Sequence, residues 1–264
     1  MPASFDPAPA AALIVSAMNA GKRFDVIPEA QRPRTIAEGY DIQDRIAADS
    51  LKGGPLTDKA AGWKLGIGSK NAMQGAKLDR PLIGRVFAGR LHANDVAVDA
   101  PAGAIALLEI EIAFTLSRDV PPSETVANPL DVVGQANLVS EIVLSRFVDR
   151  TKVGLPSFAA DSVGFHALVI GPKIEPGQVA EIARSLTVTM DGKPATSVLG
   201  GDDAIDPLVM MGYLMAHARE RGITLRRGEI VTTGTLSKPF DAPVPAAIEA
   251  NTAHGTVRYT LKAV

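Results

Sequence analysis

The sequence predicts an α+β fold in which a helical N-terminal segment precedes a larger strand-rich body. Three observations carry this. Before residue 50, apolar residues twice recur at the three- and four-residue spacing of a helix. Across the chain, 19 prolines and 24 glycines in 264 residues supply the frequent turns of a sheet-rich body. The stretch from Ile105 to Leu116 alternates with period two, placing Leu108, Ile110, Ile112, Phe114 and Leu116 on one face of a strand.

Residues 8–21 are expected to form an amphipathic helix with Leu13, Ile14, Ala17 and Met18 inward, stopped at Asn19-Ala20-Gly21. Pro28 and Pro33 bound a loop. Thr35 caps a second helix, Ile36 to Ala48, with Ile36, Tyr40, Ile42 and Ile46 as its buried stripe. Gly53-Gly54-Pro55 ends the helical region. Residues 1–55 are thus expected to be a helical appendage, too short to bury a core alone, and residues 56–264 the main body. Residues 61–69 form a short strand running into a Gly-rich turn, 71–78 a helical turn, and 83–87 the start of the sheet. Ala93-Asn94-Asp95 and Pro101-Ala102-Gly103 are turns around a short strand that precedes Ile105–Leu116. Asn128-Pro129-Leu130-Asp131 opens a helix to about Asn137, and Leu138 to Phe147 is a strand with Glu141 early in it. Residues 152–160 are expected to be an irregular loop, and 161–171 a turn and strand. Asp191-Gly192 joins 185–190 and 195–199 as a hairpin. Asp206-Pro207 starts a helix to Arg221, with Leu208, Met211, Leu214, Met215 and Ala218 inward, and Gly222 stops it. Strands at 229–233 and 255–262 close the chain.

Composition removes several function classes. There is no cysteine, hence no disulfide, thiolate metal site or cysteine nucleophile. Net charge is −2 with dispersed basic residues, which disfavours nucleic acid and anionic membranes as partners. No apolar run approaches the ~20 residues of a membrane span, and Met1–Pro9 lacks the positive charge of a secretory signal. A cytoplasmic enzyme is the expectation.

On the face of the strand opposite Leu108 and Ile110, Glu109 and Glu111 point the same way, their Cβ atoms roughly 7 Å apart. Two like charges on a strand with a wholly apolar opposite face would repel unless a cation sits between them. A divalent metal site is the sharper reading and a solvated face the blander one. Lys64, between Trp63 and Leu65, is either an exposed edge lysine or a buried cation that needs an anionic partner. The four histidines, His92, His166, His217 and His254, show no ligand spacing, and neither a nucleotide-cradling glycine motif nor a G-x-S-x-G elbow is present.

Several segments in order resemble the 2-keto-4-pentenoate hydratase and 4-oxalocrotonate decarboxylase branch of the fumarylacetoacetate hydrolase superfamily. They are Glu38–Gln43, Trp63–Lys70, Leu78–Gly84, Glu109–Phe114, Glu141–Arg146 and Gly228–Gly234. The resemblance implies a mixed β-roll, a homo-oligomer, Mg²⁺ or Mn²⁺, and a small 2-oxo or 2-hydroxydienoate acid as substrate, in the catabolism of aromatic compounds. It assigns the metal to Glu109, Glu111 and Glu141, a catalytic lysine to Lys64 and a proton-moving acid to Asp79. An oxygen-only donor set suits these hard ions. Gly66, Thr233 and Gly234 are the expected substrate-binding positions, the last two through a hydroxyl and a backbone N–H. After Asp161 the chain departs from the family pattern with Ser162-Val163-Gly164. The expected reaction is hydration of a 2-hydroxy-2,4-dienoate. The alternatives are decarboxylation, with Arg85, Arg90 or Lys70 holding a second carboxylate, and a catalytically silent metal- or 2-oxoacid-binding protein.

Overall fold

The computed structural model describes residues 5–51 and 59–264, so Gly53-Gly54-Pro55 lies outside the described residues. Helix α1 (Ala8–Ala20) ends where Gly21 turns left-handed at φ 60°. Helix α2 (Ile36–Leu51) opens on a capping box: Thr35 Oγ1 accepts from the Glu38 N–H at 3.1 Å, and Glu38 Oε2 accepts from the Thr35 N–H at 3.2 Å. Then follow β1 (Ala60–Gly66), α3 (Lys70–Ala76), β2 (Leu82–Phe87), β3 (Leu91–Ala93), β4 (Val96–Ala100), β5 (Ile105–Leu116) and β6 (Val133–Val143). After α4 (Gly154–Ala160) come β7 (Phe165–Ile174), α5 (Val179–Ser185), β8 (Thr187–Met190) and β9 (Lys193–Pro194). The chain closes with α6 (Pro207–Glu220), β10 (Ile230–Thr235), β11 (Phe240–Pro243), β12 (Ala246–Thr252) and β13 (Gly255–Ala263).

Two mixed sheets result, giving the α+β β-roll expected. The larger has eight strands in the order β2-β1-β10-β5-β6-β7-β3, with β11 also on β5; the smaller is β4-β13-β12-β8-β9. Every inward residue expected on β5, from Leu108 to Leu116, lies in the core between the sheets with Leu138, Ile142, Val257 and Tyr259. Across that core Ser140 and Tyr259 share a 2.9 Å hydrogen bond between their hydroxyls, so the polar atoms there are paired. The opposite face of β5 and β6 is covered too. Residues of α1 and α2, including Ile14, Val15, Ile42 and Ile46, pack with Ala113, Val139, Leu168 and Ile230. The acids of β5 therefore sit on a sheet buried on both sides.

Four local expectations differ from the structure. Asn128 caps only one 3-10 turn, Pro129–Val132, before β6 begins at Val133. Two β-branched valines and Gly134 are poor helix formers, and β5 offers a long partner edge running from Leu107↔Val143 to Leu116↔Val133. Glu141 consequently lies near the end of its strand. Residues 154–160 are helix α4 rather than loop; Pro156 falls in the first turn, where proline is tolerated. Helix α4 packs closely on α2, since a Cβ on Gly39 would stand 2.4 Å from the Pro156 carbonyl oxygen. The hairpin at Asp191-Gly192 forms, with φ of 52° and 75°, but its second strand stops at Pro194, which lacks an N–H. Finally, the structure adds β3, α5, β11 and β12, for which the sequence predicts no element.

Candidate active site

Strand pairing brings the acids together. Glu109 on β5 is directly opposite Glu141 on β6, and Glu111 follows two residues along on the same face. One carboxylate oxygen from each of Glu109, Glu111 and Glu141 lies within 4.8 Å of the others. Glu111 and Glu141 are fully buried and Glu109 is half-buried. On the other flank β10 breaks register against β5 between Thr232 and Thr235. At this bulge Gly234 takes φ 87°, and its N–H donates to Glu111 Oε2 at 2.7 Å.

Lys64 is not an edge residue. It lies on β1 between β2 and β10, is 1% exposed, and its Nζ stands 2.9 Å from Glu141 Oε1. The contact is a buried ion pair, and Glu111 Oε1 finds no hydrogen-bond partner among the described residues. Lys64 Nζ also donates to the Val163 carbonyl at 3.3 Å. That carbonyl belongs to Ser162-Val163-Gly164, three successive residues at positive φ of 50°, 54° and 75°. The segment is held by Asp161, whose buried carboxylate accepts from Arg146 and, at 2.7 Å, from the Ser145 hydroxyl.

The electrostatics follow from burial. Burial raises the Glu111 pKa well above the ordinary value, and the Glu141 and Glu109 charges add to this; Lys64 and the Gly234 N–H oppose it. Burial also raises Glu141, against the pull of Lys64. Burial alone would lower the Lys64 pKa, but Glu141, Glu109 and Glu111 together outweigh it and the net direction is up. Three carboxylates face one ammonium in a buried pocket, and full ionisation of the cluster calls for a further cation. An oxygen-only set with an orphaned Glu111 Oε1 fits a hard divalent cation.

Glu109 opens into a cavity of about 500 Å³ that is also lined by Gly66, Ser69, Ile205, Gly234 and Thr235. A Cβ on Gly66 would stand 3.3 Å from Lys64 Nζ, so the missing side chain leaves the ammonium just behind the cavity wall. Two expected residues do not join the site. Asp79 has a side chain 86% exposed, beside Arg80 at 3.8 Å, and is not among the residues lining that cavity. Thr233 is fully buried, and its hydroxyl donates to the Ile112 carbonyl at 2.8 Å. Gly234 lines the cavity, but its N–H is committed to Glu111. Of the cations considered for a second carboxylate, Arg85 stacks 3.7 Å over Trp63 and pairs with Asp44, while Lys70 pairs with Asp202. The loop at 199–206, which supplies Leu199, Asp203 and Ile205 to the cavity, carried no periodic signal in sequence; only the cap Asp206 after it was visible.

The model of the fumarylacetoacetate hydrolase C-terminal family matches residues 69–256. The chain is 28% identical over 194 residues to 2-hydroxyhexa-2,4-dienoate hydratase of Comamonas testosteroni, covering 72% of each. It is 26% identical over 183 residues to 2-keto-4-pentenoate hydratase of Burkholderia vietnamiensis, covering 68% of this chain and 69% of that one. In structure it resembles 4-oxalocrotonate decarboxylase from Pseudomonas putida G7, complexed with magnesium and adipate, with TM-score 0.82 over 98% of this chain and 97% of that one. Identity there is 19%, a likeness of fold.

Proposed function

Because the chain belongs to the fumarylacetoacetate hydrolase C-terminal family, we propose that it is a hydro-lyase that adds water to a 2-hydroxy-2,4-dienoate, giving a 4-hydroxy-2-oxoacid in the catabolism of aromatic compounds. The hydratase names of its sequence relatives support the reaction class. The observation that carries the reading is the cluster of Glu109, Glu111 and Glu141 within 4.8 Å, facing one ammonium, with Glu109 opening into a cavity. The three carboxylates would hold Mg²⁺ or Mn²⁺; complexes of fold neighbours with magnesium, or with Mn²⁺ and pyruvate, support a divalent ion. When bound, that ion supplies a Lewis acid for the carboxylate and 2-oxygen of a 2-oxoacid.

The chain's own groups do the rest. Glu111 is oriented by the Gly234 N–H, so its free oxygen faces the cluster. Lys64, reaching past Gly66, places a positive charge where the substrate's 2-oxygen becomes anionic as the dienol ketonises. The 2-hydroxyl proton would leave to water in the cavity and a proton from water would be taken up at C5, with Lys64 Nζ holding the charge at the 2-oxygen meanwhile. Asp79, its side chain 86% exposed, is too far out in solvent to move either proton. Water then adds to the conjugated enone at the distal carbon. The protein works in the cytoplasm as a homo-oligomer; among the described residues no helix is long and apolar enough to cross a membrane.

The test is incubation with 2-hydroxypenta-2,4-dienoate and, separately, 2-oxohex-3-enedioate, each with Mg²⁺, following dienol absorbance and CO₂ release. Loss of absorbance without CO₂ is expected. CO₂ release from the diacid alone would replace hydration with decarboxylation, and no turnover of either would leave a silent binding protein.

A further inference from the structure

Two cavities in this protein share a wall. The cavity containing Glu109 and a second one of about 480 Å³ are both lined by Leu199 and Ile205. Ile205 sits where two glycines leave room: its Cδ1 would be 2.6 Å from a Cβ on Gly234 and 3.7 Å from one on Gly68. The isoleucine therefore fills the space beside the residue that orients Glu111. Beyond this partition the surroundings are apolar, with Phe114, Val179, Leu208 and Leu236 among the lining residues. Among the described residues no lysine, arginine or histidine lines the second cavity. Its one carboxylate, Asp206, is committed to capping α6, accepting from the Leu208 and Val209 N–H groups at 2.8 and 3.3 Å.

We propose that this second cavity is the subsite for the distal substituent of the dienoate, that the substituent is uncharged and apolar, and that Ile205 and Leu199 set the length admitted. The inference rests on the function proposed above and narrows its substrate class to monoacids with an alkyl tail. A carboxylate pushed past Ile205 would lose its hydration and find no cation in return. A methylene placed there instead leaves water for an apolar wall, which strengthens binding about fourfold per group. Lys238, which lines the first cavity together with Asp203, offers the contrary choice of a diacid.

Calorimetric binding of saturated 2-oxoacids in the presence of Mg²⁺ separates these cases. The series is 2-oxobutanoate, 2-oxohexanoate, 2-oxooctanoate and the diacid 2-oxohexanedioate. Wild-type affinity should rise about threefold to fourfold per methylene from the first to the second, and the diacid should bind at least about tenfold more weakly than 2-oxohexanoate. Ile205→Ala, or Leu199→Ala as an independent opening of the same wall, should extend the gain to 2-oxooctanoate by about tenfold. Ile205→Trp should abolish the rise with length. A flat series in the wild type, or a diacid that binds more tightly than its monoacid counterpart, overturns the subsite. Failure of even 2-oxobutanoate to bind removes the proposed function itself, and the subsite with it.

Discussion

The backbone N–H of Gly234 donates to Glu111 Oε2 across 2.7 Å, so a bulge in β10 fixes the direction of a carboxylate on β5. Gly234 can do this only at φ 87°, a conformation a side chain strains, and a Cβ there would press on Ile205. Gly234→Ala should therefore cost about 1–3 kcal/mol of stability and weaken divalent-metal affinity about tenfold. Chemical denaturation gives the first and calorimetric metal titration the second. Unchanged metal affinity in a folded variant would mean that the Gly234 hydrogen bond does not matter to the site.

The three-glutamate cluster makes a prediction about metal and stability together. A cation that binds only the native state, present at 100 times its Kd, raises stability by about 2.7 kcal/mol. Mg²⁺ or Mn²⁺ should thus raise the thermal midpoint of the wild-type protein, and a chelator should reverse it. In Glu109→Ala the midpoint should no longer respond, while the circular dichroism spectrum stays native, because Glu109 is half-buried and lines the cavity. A metal-dependent shift that persists in this variant would dismiss the cluster as the metal site.

Lys64 separates chemistry from metal binding. Lys64→Met removes the ammonium 2.9 Å from Glu141 but leaves the three carboxylates in place. Turnover should fall about 10²- to 10³-fold, whereas metal affinity should hold or rise, since one competing positive charge has gone. Stopped-flow loss of dienol absorbance measures the former and metal titration the latter. Near wild-type turnover would reduce Lys64 to a structural counter-ion.

How much of this was legible in sequence depended on the range of the signal. The alternation from Leu108 to Leu116 reads correctly because one continuous core dictates every second residue of β5. Thr35, and Asp206 before Pro207, are local caps, and both act as caps in the structure. The start of β6 misled because Asn128-Pro129 is an equally local cue; it yields one 3-10 turn before the long edge of β5 takes the chain. Lys64 could not be placed on an edge or in the interior from its neighbours alone, since the strand that buries it, β10, comes far later, with Lys64 opposite Thr232. The wall formed by Leu199 and Ile205 belongs to an irregular loop whose apolar residues have no period to read.

Arg146 and Asp161 form a buried pair, the guanidinium also reaching the carbonyls of Phe165 and Asp161. Burial raises the Asp161 pKa, with Arg146 and Ser145 opposing it. Arg146→Met strands that carboxylate and should cost about 3–5 kcal/mol. Asp161 precedes the left-handed residues that aim the Val163 carbonyl at Lys64, so any folded fraction should also show reduced kcat. Denaturation midpoints and single-turnover rates check the two parts; a loss below about 1 kcal/mol would show the pair to be expendable.

His217 contributes to the acid limb of the stability profile, alongside His166, whose pKa burial also pushes down to about 4. It is 5% exposed on α6, its ring edge-on to Tyr40 at 4.6 Å, and burial, with Arg221 next, pushes its pKa down to about 4 against a partial pull from Asp44. The native imidazole is then neutral between pH 4 and the unfolded value near 6.5, while the unfolded chain takes up a proton across that window. Its contribution is complete above pH 6.5 and declines as the pH falls toward 4, by up to about 3 kcal/mol at one pKa unit per 1.36 kcal/mol. His217→Phe keeps an aromatic ring against Tyr40 but cannot titrate. Urea denaturation at pH 7.5 and 4.5 should show the wild type losing about 2–3 kcal/mol more than the variant; parallel losses in both would place the acid sensitivity elsewhere.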